Sequence, residues 1–279
     1  MKFTKMHGAG NDYIYIDMFT EKLSDPEKAA ITLSDRHFGI GGDGIILIYP
    51  SEIADFRMAM YNNDGSEGKM CGNAARCIGK YVYDHGLTAN TEVTLETLSG
   101  IKNLQLEVTD GKVSSVSVNM GKANLECIKI PMRWDSEHFI NQPVMMPGGE
   151  TLLGTAVSMG NPHIVFFVDD VDFDDFELYG TFTERNEIFP ERVNTEFVKR
   201  ISETEITMRV WERGSGETLA CGTGACASVV ACVLNGFCEY DTEIRVNLKG
   251  GIIYVTYNAD GTVIMRGGAE TVFIGEIDL

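Results

Sequence analysis

The chain is short of long apolar runs, of positive charge and of paired metal-type cysteines, and each shortage removes a class of function. No stretch approaches the roughly 20 apolar residues of a membrane span. The opening residues, Met1-Lys2-Phe3-Thr4-Lys5-Met6-His7-Gly8, lack the apolar run of a signal peptide. The expectation is a cytoplasmic protein without a membrane partner. Lys and Arg number 23 against 41 Asp and Glu, a net charge of −18 with a pI near 4.6. Such a surface repels phosphate backbones and anionic lipid, so nucleic acid is not an expected partner. Seven cysteines form an odd set without framework spacing. With no C-x-x-C among them, neither a zinc site nor a thioredoxin-like role is supported, and they read as reduced thiols. The densest acidic run, Asp169 to Asp175, is not spaced as a calcium loop and reads as a solvated loop. No metal is expected.

What the chain does have is bulk and repetition. At 279 residues, 44% of them hydrophobic and 23% charged, it has the makings of two ordinary globular domains. Cys71 and Cys221 lie 150 residues apart, in Met70-Cys71-Gly72-Asn73-Ala74-Ala75 and Ala220-Cys221-Gly222-Thr223-Gly224-Ala225. Gly10-Asn11 and Gly160-Asn161 keep the same offset, as do Asn62 and Glu212. The approaches Asp64-Gly65-Ser66-Glu67 and Arg213-Gly214-Ser215-Gly216-Glu217 repeat more loosely. Two diverged copies of one unit, each presenting one thiol, are expected.

The pattern of elements supports α+β rather than a parallel doubly wound sheet. An apolar strand covers Tyr13 to Ile16, and Asp25-Pro26 opens a short helix to Leu33. Strands follow over Ile45–Tyr49, ended by Pro50, and Phe56–Tyr61. After the polar loop Asn62 to Lys69, a helix over Asn73 to Asp84 is small or apolar nearly all round and stops at Gly86. Glu92–Glu96, Leu104–Val108 and Val113–Asn119 alternate as antiparallel strands, with a hairpin turn at Asp110-Gly111. In the second half, Ala156–Ser158 leads to a turn Gly160-Asn161-Pro162-His163 and a strand Ile164–Val168. Ile206–Trp211 delivers Glu212 and Arg213; a helix Thr223–Leu234 ends at Gly236; strands Glu243–Leu248, Ile252–Tyr257 and Thr262–Arg266 follow.

Gly39-Ile40-Gly41-Gly42-Asp43-Gly44 satisfies G-x-G-x-x-G, but an apolar strand follows it where a dinucleotide site needs a helix. A turn whose backbone comes close to a ligand or the other lobe fits better. Cys77, Cys226 and Cys232 occupy apolar helix positions and read as core; Cys127 and Cys238 carry no motif. Cys71 and Cys221 read either as buried core thiols or as functional ones. Each stands at a helix N-terminus, where unpaired N–H groups and the helix dipole favour a thiolate. The same N–H groups suit a carboxylate. Proton chemistry at the α-carbon of an amino acid needs both. His163 and Glu212 each read as a satisfied structural group; a buried Glu212 near Cys221 reads alternatively as tuning the thiol or pairing with a substrate ammonium. Arg213 is the best candidate carboxylate clamp. Asn11, Asn62, Asn161 and Asn194 are singly turn formers; as a set they read as a polar pocket lining.

The strings His7-Gly8-Ala9-Gly10-Asn11-Asp12, Asn62-Asn63-Asp64-Gly65-Ser66-Glu67, Cys71-Gly72-Asn73-Ala74-Ala75-Arg76-Cys77, Ser158-Met159-Gly160-Asn161-Pro162-His163, Arg192-Val193-Asn194, Glu212-Arg213-Gly214 and Ala220-Cys221-Gly222-Thr223-Gly224-Ala225 resemble diaminopimelate epimerases in order and spacing. The resemblance implies two pseudo-symmetric lobes, each a mostly antiparallel sheet or barrel around a central helix, with the site in the cleft between them. The N-terminal lobe would be residues 1–121 completed by the strand 267–279, and the C-terminal lobe 122–266. It implies cofactor-free epimerisation of LL-diaminopimelate to the meso form for lysine and peptidoglycan synthesis. Cys71 and Cys221 would be the two acid–bases. Gly72, Asn73, Gly222 and Thr223 would hold the carboxylate at the reacting centre. Asn11, Asn62, Asn161, Asn194, Glu212 and Arg213 would complete the pocket, and His163 and Glu212 would tune the thiols. It also implies a homodimer, with the segment around Phe273 contributing. Many members carry glutamine where this chain has Gly44. The scaffold serves other amino-acid racemases too, of histidine and proline type. Other classes of function are a non-catalytic amino-acid binding protein and a proton-shifting isomerase with a carboxylate base.

Overall fold

The computed structural model describes residues 1–278, which divide into two compact units: Met1–Asn119 with the segment from Arg266 onward, and Met120–Met265. The first unit opens with β1 (Lys2–Gly8) and β2 (Asn11–Asp17), then α1 (Pro26–Ser34), β3 (Gly44–Pro50), β4 (Phe56–Asn62) and the two-residue β5 (Glu67–Gly68). Next come α2 (Gly72–Asp84), β6 (Glu92–Thr97), β7 (Gly100–Thr109) and β8 (Lys112–Lys122). The second unit contains a 3-10 turn at Cys127–Lys129, β9 (Gln142–Met145), β10 (Thr151–Ser158), β11 (Pro162–Phe167), α3 (Phe176–Glu184), β12 (Asn194–Arg200) and β13 (Glu205–Glu212). It continues through β14 (Gly216–Glu217), α4 (Gly222–Leu234), β15 (Glu243–Leu248), β16 (Gly251–Tyr257) and β17 (Thr262–Gly267); β18 (Glu270–Glu276) belongs to the first unit. The architecture is α+β. Most strand pairs are antiparallel, with parallel pairs β2–β3, β4–β6, β11–β12 and β13–β15. The internal repeat shows in the bounds themselves, since α1 and α3, β3 and β12, and α2 and α4 each recur at the same 150-residue offset.

Helices α2 and α4 are built by the same local rules. Each is capped by a cysteine in extended geometry, Cys71 at φ −133°, ψ 121° and Cys221 at φ −121°, ψ 109°. Each is closed by a glycine in the left-handed region, Gly86 at φ 74° and Gly236 at φ 72°. There Leu87 N bonds Val82 O and Phe237 N bonds Cys232 O, both at 2.9 Å. α4 is rich in β-branched residues, which cost at most about 0.7 kcal/mol each in helix propensity. Burying Val229, Val230 and Val233 contributes roughly 1.5–3 kcal/mol apiece, so packing outweighs propensity. α1 starts as expected, with Lys28 N donating to the Asp25 carboxylate at 3.1 Å.

Several elements depart from the sequence reading. β1 is a strand of its own, paired with both β2 and β18. Its apolar pattern is obscured by Lys5, buried because it pairs with Asp12 at 2.6 Å. Pro162 and His163 lie inside β11 rather than in the preceding turn. α3 was not expected from Phe-Glu-Leu-Tyr-Gly-Thr-Phe-Thr-Glu; it forms because Phe176 and Tyr179 join the core of the second unit. Gly180 lets that helix lie against Trp211, since a Cβ there would meet Trp211 Cγ at 2.6 Å. β12 begins with three polar residues that are all buried, Asn194, Thr195 and Glu196. The glycine-rich segment 39–44 follows α1 and precedes β3, so it has the reverse of the dinucleotide order. Its backbone approaches its own unit: Lys5 Nζ donates to Gly41 O, and Asp43 N donates to Asp12 O at 2.7 Å. Gly44 faces Asn62 across β3–β4, and a Cβ on it would lie 2.1 Å from Tyr61 O. This backbone therefore has no room for a side chain at position 44.

Candidate active site

In the first unit, Cys71 Sγ accepts from Ala74 N at 3.5 Å. The first intrahelical bond is Ala75 N to Cys71 O at 2.9 Å, so the N–H groups of Gly72 and Asn73 precede it and point off the helix end. Cys71 Sγ donates to Asn11 Oδ1 at 3.3 Å, and Asn73 Nδ2 donates to the same oxygen at 3.3 Å. Cys71, Gly72, Asn73 and Asn11 thus form one cluster. Asn62 bonds within its own turn, Nδ2 to Ser66 Oγ at 3.0 Å. Beyond the cluster stand residues the sequence reading did not single out. Asn11 Nδ2 donates to Asp43 Oδ2 at 2.7 Å, and fully buried Arg76 donates to Asn73 Oδ1 at 2.9 Å. Arg36 bridges Asp43 at 2.9 Å and Asp12 at 2.7 Å. Burial would raise the Asp12 pKa, but Arg36 and Lys5 outweigh it and hold the carboxyl below its ordinary value.

The second unit repeats the helix end and changes its surroundings. Gly224 N donates to Cys221 Sγ at 3.4 Å, and Ala225 N bonds Cys221 O at 2.9 Å, leaving the Gly222 and Thr223 N–H groups at the helix end. Thr223 Oγ1 lies 3.5 Å from Cys221 Sγ and accepts from Asn161 Nδ2 at 3.2 Å. Asn161 Oδ1 lies 3.0 Å from His163 Nε2, whose other nitrogen lies 2.7 Å from Glu196 Oε1. A chain of five side chains therefore runs from Cys221 to Glu196. Glu196 was missed because it sits among polar residues in a strand that is buried throughout this stretch; the one signal was a carboxylate just before the apolar pair Phe197-Val198.

The electrostatics at Cys221 differ from the expectation of a helix end that favours thiolate. Burial, then the carboxylates of Glu212 and Glu196, push the thiol well above its ordinary value. The Thr223 hydroxyl and Gly224 N–H pull the other way and lose, because the site is dry and already negative. Glu196 is itself raised, by burial first, with His163 pulling against it, and its Oε2 is buried without a hydrogen-bond partner. Glu212 is half-buried rather than buried and accepts from Thr218 Oγ1 at 2.5 Å. Arg213 is exposed, and its guanidinium donates to Glu191 O at 3.1 Å. Asn194 is used by the backbone: Nδ2 donates to Pro162 O at 3.0 Å and Oδ1 accepts from Arg213 N at 3.0 Å. Buried Glu184 clasps the same turn, accepting from Gly214 N at 2.9 Å, Trp211 Nε1 at 2.9 Å and Arg192 at 3.2 Å.

The remaining cysteines are buried. Burial pushes Cys77 up to about 12, which makes it inert. Among the described residues, no three His, Cys, Asp or Glu side chains come together as a metal-binding group, and no helix is long and apolar enough to cross a membrane.

Comparison with known proteins places the chain in a family. The diaminopimelate epimerase family profile matches residues 3–126 and 155–272. The diaminopimelate epimerase of Acetivibrio thermocellus is 52% identical over 280 residues, covering 100% of this chain and 99% of that protein. The diaminopimelate epimerase of Agathobacter rectalis is 52% identical over 287 residues, covering 100% of both. In fold, the chain is similar to a probable proline racemase from Agrobacterium radiobacter K84 crystallised with carbonate, with a TM-score of 0.76 at 14% identity, covering 100% of this chain and 93% of that one. With full-length identity near one half to named members and a profile match on either side of a single gap, the chain belongs to the diaminopimelate epimerase family.

Proposed function

We propose that the chain is an isomerase that converts LL-2,6-diaminopimelate to the meso isomer without a cofactor, using Cys71 and Cys221 as its two acid–bases. One observation carries this reading. Two helices at the repeat offset each begin with a cysteine cap whose sulfur accepts a first-turn N–H, beside two further N–H groups at the helix end. A thiol beside a carboxylate-binding helix end is what proton exchange at an amino-acid α-carbon requires. One cysteine, as thiolate, takes the α-proton and becomes S–H. The electron pair left on carbon is stabilised by N–H groups of Gly72, Asn73, Gly222 and Thr223 aimed at the adjoining carboxylate. The other cysteine, as thiol, gives its proton to the opposite face and becomes thiolate, so the two exchange roles at each turnover.

In this reading Asn11, Asn62, Asn161, Asn194, Glu212 and Arg213 recognise the distal end of the substrate, Asn194 through the backbone it holds. His163 and Glu212 adjust Cys221. The enzyme would act in the cytoplasm, in lysine and peptidoglycan precursor synthesis, as a homodimer whose contact includes Phe273.

Proton NMR of LL-diaminopimelate with reduced enzyme in deuterated water tests the reaction. The α-proton signal is expected to disappear as the meso isomer accumulates. Cys71→Ser and Cys221→Ser are each expected to lose about 10²–10⁴-fold in rate while remaining folded, the scale of a general acid–base contribution. Full activity in either variant rejects the two-thiol mechanism.

A further inference from the structure

The hydrogen bonds around Cys71 have a direction that the ends of the network impose. Arg76 can only donate, so the Asn73 atom it meets at 2.9 Å is the carbonyl oxygen. The other end of that amide, Nδ2, then faces Asn11 at 3.3 Å and must meet an acceptor, Oδ1. From the opposite side, the Asp43 carboxylate can only accept, so the Asn11 atom 2.7 Å from it is Nδ2. The two deductions agree. A cation and an anion orient two amides head to tail, and the oxygen of the second, Asn11 Oδ1, lies 3.3 Å from Cys71 Sγ. Turning Asn11 over would set its N–H₂ against the N–H₂ of Asn73 and its oxygen against Asp43.

We propose that Asp43 and Arg76 are positioning residues for Cys71: they fix the direction of the Asn73–Asn11 amide chain so that Cys71 meets a carbonyl oxygen and rests as a thiol when no substrate is bound. This rests on the acid–base role proposed for Cys71. A thiolate gains nothing from a carbonyl oxygen at that distance, whereas an S–H donates to it. Tyr15 and Cys77 do not compete for this role. Tyr15 of β2 and Cys77 of α2 are buried and hold their protons far past neutral pH, and Arg76 is committed to Asn73 and to Gly268 O at 3.2 Å. Both sulfurs accept one first-turn N–H, from Ala74 and from Gly224, so the difference lies in the side chain each meets: a carbonyl oxygen that can only accept at Cys71, and the Thr223 hydroxyl, able to donate, at Cys221.

The test reads the thiol itself in ligand-free, full-length protein. The infrared S–H stretch of Cys71 is assigned by its loss in Cys71→Ser, and the pH midpoint of iodoacetamide alkylation is read at Cys71 by peptide mass spectrometry. A hydrogen-bonded S–H band is expected at neutral pH in the wild type. In Asp43→Asn the Asn11 oxygen becomes a weaker acceptor. The band should move to higher frequency, and the Cys71 midpoint should fall by roughly half to one pH unit, the scale of one hydrogen bond. The Cys221 midpoint should stay in place. Arg36→Gln, which breaks the surface ion pair and keeps the Asp43 acceptor, should leave the Cys71 band unmoved. The proposal is overturned by the absence of a Cys71 band at neutral pH, by an unmoved band in Asp43→Asn, or by an equal shift in Arg36→Gln. Neither readout depends on turnover, so full activity in Cys71→Ser would reject the catalytic reading separately.

Discussion

His163 Nδ1 lies 2.7 Å from Oε1 of Glu196, and neither side chain is exposed to solvent. A carboxylate can only accept, so Nδ1 carries a hydrogen whatever the state of Nε2. The ring is thereby held with Nε2 toward Asn161, and Asn161 in turn toward Thr223 beside Cys221. Glu196 anchors the whole chain through its bond to His163.

Glu196→Leu is expected to lower stability by about 3–5 kcal/mol in urea unfolding, the cost of removing one partner of a buried hydrogen-bonded pair. Glu196→Gln keeps an acceptor for Nδ1 and should lose clearly less. Both remove a carboxylate that raises Cys221, so its alkylation should shift to lower pH in each variant. Wild-type stability in Glu196→Leu would mean that the pair anchors nothing.

Cys77 gives a stability signature at alkaline pH. Its thiol titrates near the ordinary 9.0 when unfolded and at about 12 when folded, because of burial. Between those values the unfolded chain has released the proton and the native one has not. Stability should therefore be intact below 9.0 and fall as pH rises toward about 12, by up to about 1.4 kcal/mol per pH unit from this group. Cys77→Val should flatten the slope by one proton's worth in urea titrations across this range. An unchanged slope would place the proton release elsewhere.

Glu184 should matter to substrate affinity through the turn it clasps. Burial works to raise its pKa, yet the bonds from Trp211, Gly214 and Arg192 prevail and keep it an anion. Glu184→Gln cannot accept all three, which loosens the backbone that carries Arg213. With Arg213 as the distal carboxylate clamp, KM for diaminopimelate is expected to rise roughly tenfold, about 1.4 kcal/mol, with kcat changed far less. A fall in kcat at constant KM would show that the turn does not serve binding.

The two helix ends were legible from sequence because the information is local: a cysteine, a glycine after it, a small apolar stretch, and a closing glycine at Gly86 or Gly236. α1 was legible for the same reason, from Asp25-Pro26. β12 was not, because Asn194 and Glu196 are polar residues buried for the sake of bonds to β11 and to the Arg213 turn, and composition cannot announce such partners. α3 was hidden by Gly180, whose missing side chain answers to Trp211 more than thirty residues on. Arg213 was legible as a candidate carboxylate clamp, but not the bonds that hold it, from its backbone N–H to Asn194 Oδ1 and from its guanidinium to Glu191 O, because both partners are set by tertiary structure. Asp43 lies inside a glycine-rich string, and its partner Asn11 is 32 positions away, so no local pattern marks its carboxylate.

The pairing of β1 with β18 sets an order on biosynthesis. Met1 N donates to Ile277 O at 2.7 Å and Ile277 N donates back to Met1 O at 2.9 Å, so the strand that completes the first unit is encoded after the whole of the second. As the chain leaves the ribosome, residues 1–119 must wait with one edge of β1 open while residues 120–265 are made. The later unit has all its own strands first. The half that begins emerging earliest is therefore the last to close, and until then its open strand edge is a template for misassociation.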